Sequence, residues 1–514
     1  MKKKFNTELC DKKMSFDECE LTILRHAVDE TTMIKGQEIV KNDDVQKMIL
    51  ILENFLIKKK FICYGGTAIN NILPKSDQFY NREIEIPDYD FFSKNALEAA
   101  KELADNYYNE GFTDVEAKSG VHNGTYKVYV NFIPIADITY MNPEMYDNLE
   151  KDAIKIMGIH YCHPNYLRMS MYLELSRPAG DVSRWEKVLK RLTLLNKHYP
   201  LKPTIDCKKV LKTEEEELIT KDIFTVIKES FIEQEVVFFG GYAVYLYSRH
   251  IPEHIETMNK VPQFDVLCEN PDKCALLVKE RLIDFGLKHI EIIEHDGIDD
   301  IIPKHYEIKV NKKSYAFIYE PIACHNYNTI VINKKNVNVA TIDTMLSFYL
   351  AFIYTNNKHY NKDRILCLAK YLFEIEQYNR LEQNGILKRF SIKCYGKQKG
   401  LNNIYAQKAQ MFKELANKKG TKEYESWFLK YNPGQSKTVL NKKKKQVERL
   451  IEDNEENNTI DEKTEEKNEN VNRKKFKDFK KYKKMEENKE KKTRKNKNIF
   501  ENLFTLKNRK GLFY

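Results

Sequence analysis

Apolar residues recur at three- and four-residue spacing over residues 43–60. Val45, Met48, Ile49, Leu52, Phe55 and Leu56 there predict an amphipathic helix. Phe61-Ile62-Cys63-Tyr64 follows as a short strand, and Gly65-Gly66 turns it into a helix from about Thr67. Residues 84–92 read as the next strand. Ser93 is the expected N-cap of a helix running to Tyr108, which Gly111 ends. Asn123-Gly124 marks a hairpin turn, and residues 127–140 supply the strand after it. Asp181 is expected to cap a helix that buries Trp185, Val188, Leu189, Leu192 and Leu195. Its polar side carries Arg184, Lys187, Lys190 and Arg191. Strands alternating with helices predict a mixed α/β (α+β) fold.

The pattern then returns. Val237-Phe238-Phe239-Gly240-Gly241-Tyr242-Ala243 echoes Ile62-Cys63-Tyr64-Gly65-Gly66-Thr67-Ala68, and Pro262-Gln263-Phe264-Asp265 echoes Pro87-Asp88-Tyr89-Asp90. Pro321-Ile322-Ala323-Cys324 echoes Pro134-Ile135-Ala136-Asp137, and Arg364 falls where Arg184 stood. The expected organisation is a helical segment over 1–45, a first unit over 46–200, a second over 210–380, a basic connecting segment over 381–430 and a disordered Lys/Glu/Asn-rich tail over 431–514.

Asp88 and Asp90 are two apart in a strand and so face the same way. Asp137 lies in another strand-like run that can sit beside the first. Three converging carboxylates repel unless cations lie between them, and two magnesium (or manganese) ions about 4 Å apart would suit them. A diglycine turn is common and a lone Asp-x-Asp is usually a solvated strand end; the combination is what carries weight. The second unit has Gln263 for Asp88 and, by this alignment, Cys324 for Asp137. It keeps the shape and lacks the charge to hold two hard cations.

At these motifs the chain resembles the nucleotidyltransferase superfamily that includes DNA polymerase beta. Tyr64-Gly65-Gly66-Thr67-Ala68-Ile69-Asn70, Pro87-Asp88-Tyr89-Asp90-Phe91-Phe92 and Arg184-Trp185-Glu186-Lys187 resemble one branch, the poly(A) polymerase catalytic subunits of large cytoplasmic DNA viruses of the mimivirus and African swine fever virus type. The resemblance spans roughly residues 30–430. It implies two tandem polymerase-beta-like units, the second degenerate, and a polynucleotide adenylyltransferase that adds AMP from ATP to RNA 3′ ends. By that resemblance Asp88, Asp90 and Asp137 are catalytic and hold two Mg2+ or Mn2+ ions. Gly65 and Gly66 cradle the triphosphate of ATP, Thr67 offers it a hydroxyl and Lys187 a charge. It also implies a homodimer and action in the host cytoplasm, with the virion as a second location. Two other readings keep their place: a nucleotidyltransferase acting on a protein or small molecule, and a non-catalytic RNA-binding or assembly factor.

Bulk composition adds limits. Of the net charge of +10, most lies in residues 441–514, which hold 24 Lys and Arg against 15 Asp and Glu, so the part before them is near neutral. Any nucleic-acid groove there must come from local clustering. One candidate is residues 387–401, where Lys388, Arg389, Lys393, Lys397 and Lys399 interleave with Phe390 and Tyr395; a solvated loop is the equal alternative. The ten cysteines have no Cys-x-x-Cys spacing and are expected to be reduced intracellular thiols. His160-Tyr161-Cys162-His163 lacks a second ligand pair and reads as a polar turn, not a zinc site. No apolar run reaches the roughly 20 residues that span a membrane, and the first residues lack a secretory apolar stretch; a soluble intracellular protein with no membrane partner is expected.

Overall fold

The helix Asp43–Lys59 forms where the spacing predicts it, with Val45, Met48, Leu52, Phe55 and Leu56 buried and the Asn42 side chain accepting from the Asp44 and Val45 amides. Lys60 leaves it in the left-handed region (φ 56°) and feeds the first strand. The structure is a computed structural model that describes residues 9–10, 13–207, 221–251, 263–357 and 359–434. The expected tail, beyond its first four residues, lies outside the described residues. Residues before 45 supply one long helix, Phe16–Val40, begun by a capping box from Ser15 and Glu18.

The first half builds β1 (Ile62–Tyr64), β2 (Tyr89–Ser93), β3 (Val115–Ser119), β4 (Thr125–Val130), β5 (Ile133–Tyr140), β6 (Ile154–Ile156) and β7 (Ile159–Tyr161). The second builds β8 (Val237–Phe238), β9 (Phe264–Leu267), β10 (Ile290–His295), β11 (His305–Val310), β12 (Lys313–Tyr319), β13 (His325–Ile332) and β14 (Lys335–Ala340), and two short strands follow, β15 (Cys394–Tyr395) and β16 (Lys430–Tyr431). The sheets run β16-β3-β4-β5-β2-β1-β7-β6 and β10-β11-β12-β9-β8-β14-β13-β15. Without β15 and β16 the two orders are the same, strand for strand.

The copies match down to an irregularity. The turn Asn131-Phe132 and the turn Asn311-Lys312 both carry two residues of positive φ. Behind each, the hairpin register slips by one, between Val128 and Tyr129 in one copy and between Ile308 and Lys309 in the other. The duplication read from the sequence is therefore structural.

Three expectations are corrected. First, residues 321–324 follow β12; the residue level with Asp265 on the parallel neighbour is Phe317, so Asp137 has Phe317, not Cys324, as its counterpart. The letters Pro-Ile-Ala matched by coincidence of composition; register decides the equivalence. Second, Ser93 ends β2, and Asn95 stands at the N-cap of the helix Ala96–Asn109. Third, six cysteines are not free thiols: Cys10–Cys19, Cys207–Cys367 and Cys324–Cys394 are disulfides, the last two joining partners 160 and 70 residues apart that the fold makes adjacent, while Cys63, Cys162, Cys268 and Cys274 are free and buried. Residues 160–163 are also not the expected polar turn: His160 and Tyr161 belong to the buried strand β7, and His163 caps the helix Pro164–Leu175 through Nδ1.

The halves share one core. The helix Ile342–Phe352 is buried along its whole length and packs against Pro164–Leu175, with Tyr354 edge-on to Tyr166 at 5.4 Å. The expected connecting segment 381–430, together with Tyr431 of the expected disordered tail, closes a sheet edge on each side, through β15 on β13 and β16 on β3.

Candidate functional site

Gly65 and Gly66 open the helix Gly65–Ile72 straight from β1. Gly65 has φ +74°, and any Cβ there would run into the Asp90 carboxylate. Asp90 stands on β2 opposite Tyr64 of β1 and level with Asp137 of the parallel strand β5. Asp88 precedes β2 by one residue, and its carbonyl accepts a 2.6 Å hydrogen bond from the buried Thr67 hydroxyl. The three carboxylates therefore gather at the diglycine turn.

They crowd each other electrostatically. Burial, then the charges of Asp88 and Asp137, push Asp90 up to about 7. Burial and Asp137 also raise Asp88. The cation nearest Asp137 is Lys127 of β4, level with it and paired with its Oδ2. Among the described residues no three His, Cys, Asp or Glu side chains close around a common point as a finished metal cage, and Asp137 is turned to Lys127. The donor set still suits a hard divalent cation: it is all carboxylate oxygen, two members are held above their ordinary pKa, and a bound positive charge would relieve both.

Beside the diglycine turn lies a basic wall on the helix Trp185–His198. Arg191 donates to the Tyr80 hydroxyl at 2.6 Å and lies over the Phe79 ring at 4.7 Å. Both Tyr80 and Arg191 border Gly66, where an added Cβ would meet the Tyr80 hydroxyl at 2.7 Å and Arg191 Nη1 at 3.0 Å. The loop bearing Phe79 and Tyr80 is held by Asn70, whose Oδ1 accepts from both their amides at 2.8 Å. Lys187 stands near Arg191 and Arg184; partial burial, then those two charges, hold its pKa below the usual lysine range. Arg184 pairs with Glu174 at 3.2 Å and lends Asp90 some positive potential.

The sequence reading named the carboxylates, the glycines, Thr67 and Lys187 and did not single out Lys127, Tyr80 or Arg191. Lys127 becomes visible only through register, and Tyr80 only through the Asn70 contacts. The candidate stretch 387–401 is partly spoken for. Arg389 is held by Asp343 (2.9 Å) and Glu376 (2.8 Å), and Phe390 lies 5.7 Å from Trp185.

The second unit has the same frame and other contents. Level with Asp265 come Phe317 and then Glu307, where the first unit has Asp137 and Lys127. Burial raises Tyr319, Tyr349 and Tyr360, and the nearby charge of Asp265 raises each of them further. Burial pushes Asp265 up to about 7, against Arg364, so the Arg184–Arg364 equivalence holds in space.

Residues 50–181 match the family model described as poly(A) polymerase catalytic subunit. Among curated relatives, a protein of African swine fever virus is 34% identical over 177 residues, 33% of this chain and 37% of that protein. One of Acanthamoeba polyphaga mimivirus is 28% identical over 176 residues, 33% of this chain and 29% of that protein. Both are named "Putative poly(A) polymerase catalytic subunit". The chain thus spans about a third of the length of the curated relatives it matches. The crystal structure of the Megavirus polyadenylate synthase shares the fold, with a TM-score of 0.68 over 84% of this chain and 88% of that one at 19% identity. The resemblance read from the motifs is matched by that family model over residues 50–181.

Proposed function

We propose that this chain is a template-independent polynucleotide adenylyltransferase that transfers AMP from ATP to the 3′ end of RNA. The observation that carries the reading is Asp90 level with Asp137 on adjacent parallel strands, with Gly65 directly beneath, inside the segment that matches the family. Backbone amides at the start of the helix Gly65–Ile72 point at the space an incoming triphosphate would fill. Lys187 and Arg191 face that space and offset its charge. Thr67, bonded to the Asp88 carbonyl, fixes Asp88 beside the turn. Asp88, Asp90 and Asp137 would hold Mg2+ or Mn2+, which supplies positive charge to the α-phosphate and leaving pyrophosphate and acidifies the attacking hydroxyl. Asp137, once its carboxylate swings from Lys127, is the group placed to take the 3′-hydroxyl proton. The rest of the chain's contribution is alignment of hydroxyl and phosphorus in line.

The second unit is proposed as a scaffold, since Phe317 and Gln263 offer no charge to a cation. On the resemblance alone, a homodimer is proposed as the working form and the infected host's cytoplasm as its place. Extension of an oligoribonucleotide with each of the four nucleotides in turn tests the reading. Label from ATP is expected in a lengthening polymer. A single adduct on protein or small molecule, or no incorporation with either metal, would refute it.

A further inference from the structure

The carboxylates occupy one end of a row that runs straight across the first sheet. Asp90, Asp137, Lys127, Lys118 and Lys430 are level on β2, β5, β4, β3 and β16. Residues directly opposite on neighbouring strands point to the same face, so one face carries two acids and then three lysines. Strands lie about 4.8 Å apart, so Lys430 stands about 14 Å from Asp137. The strand alternation agrees: along β4, Tyr126, Val128 and Val130 are buried, while Thr125, Lys127 and Tyr129 are partly exposed on this face. Tyr129 adds a ring to it, with Lys118 Nζ 4.0 Å from its centroid.

Lys127 is tied to Asp137, but among the described residues Lys118 pairs with Glu116 alone, at 3.5 Å, and is 42% exposed at its side chain, and Lys430 is exposed. The helix Ala96–Asn109 packs on the opposite face through Ala100, Leu103, Ala104 and Tyr107. The lysine row leaves the proposed reaction centre through β4 and β3, whereas Gly66, which Arg191 borders, follows β1 on the other side of β2. Lys430 reaches it only because β16, from the far end of the described chain, docks as an edge strand, held by Lys101–Glu425 (2.6 Å) and by Tyr431 donating to Asp105 at 3.0 Å.

We propose that this open sheet face is the track of the RNA strand leading to its 3′ end, with phosphates on Lys118 and Lys430 and a base against Tyr129. This rests on the transferase reading. Charge complementarity selects the occupant: spaced cations meet successive phosphates, and one aromatic ring stacks a base without reading its sequence. ATP is served by the Lys187–Arg191 wall, so the two substrates enter from two sides of Asp90 and Asp137.

The test uses the full chain and a fluorescent oligoribonucleotide, in wild type, Lys118→Glu/Lys430→Glu and Tyr129→Ala, with affinity read against salt. The double variant is expected to bind at least about tenfold more weakly at low salt, with the salt slope reduced by about 0.7 for each lost phosphate contact. Tyr129→Ala should lose about tenfold with the slope unchanged. In extension assays KM for RNA should rise while KM for ATP stays put. Neither lysine is buried, and melting temperature checks that each variant folds. Unchanged RNA affinity and slope in the double variant, with wild type active, would overturn the track. Lysine-dependent RNA binding by a wild type that incorporates nothing would instead sink the transferase reading and leave the track standing.

Discussion

Gly65 meets two demands that only glycine satisfies together. Its φ of +74° disfavours any L side chain, and the Asp90 carboxylate fills the space a Cβ would need. Gly65→Ala should therefore cost about 1–3 kcal/mol in denaturant unfolding and, because it displaces Asp90, should reduce nucleotide incorporation far more than a loss of folded protein explains. Soluble variant at wild-type activity would contradict this. The glycine pair and the Asp-x-Asp were legible because their chemistry is local. Arg191 was visible only as one of several charges on a helix side. Its place over Phe79 and beside Gly66 depends on Asn70 reaching nine and ten residues ahead, which no spacing rule announces.

At the scale of strands, register is what the sequence concealed. Counting back from the turn Asn131-Phe132 sets Lys127 opposite Ala136. The slip between Val128 and Tyr129 moves it opposite Asp137 instead. One residue of slip exchanges the two faces of a strand, so the ion pair and the lysine row were beyond a linear reading, and Cys324 was mistaken for the counterpart of Asp137. The repeat itself was legible, because diglycine, Asp and Arg364 recur at nearly fixed offsets. The emptied unit also makes a pH prediction. Asp265 is an acid whose folded pKa, about 7, lies above its ordinary value. Its stabilising effect is full below the unfolded pKa near 4 and is lost as pH climbs through 7. Asp265→Asn should thus gain melting temperature relative to wild type between pH 5 and pH 8, with the difference widening as pH rises; a gap that narrows would contradict the burial of that charge.

Across the whole of residues 13–434, the halves are joined through a common interior. Ser176 accepts from the Asn326 amide at 2.8 Å, Asn148 donates to the Tyr354 carbonyl at 3.0 Å, and the all-buried helix Ile342–Phe352 lies against Pro164–Leu175. A shared core predicts joint unfolding. Leu346→Ala, in the second half, should cost about 2–5 kcal/mol and lower one common transition. Two separated transitions, with the first half untouched, would show that the scaffold is dispensable to the active unit's stability. Of two like-folded units, one keeps the charged centre proposed to hold cations and the other has lost it. Magnesium-dependent addition of AMP to an oligoribonucleotide by Asp90→Asn and Asp265→Asn, side by side and each checked by circular dichroism for a folded state, tests this most directly. The account predicts that Asp90→Asn abolishes addition and Asp265→Asn leaves it within about twofold of wild type, since one transition-state contact is worth orders of magnitude and a scaffold carboxylate none. Equal loss in both, or activity surviving Asp90→Asn, would contradict it.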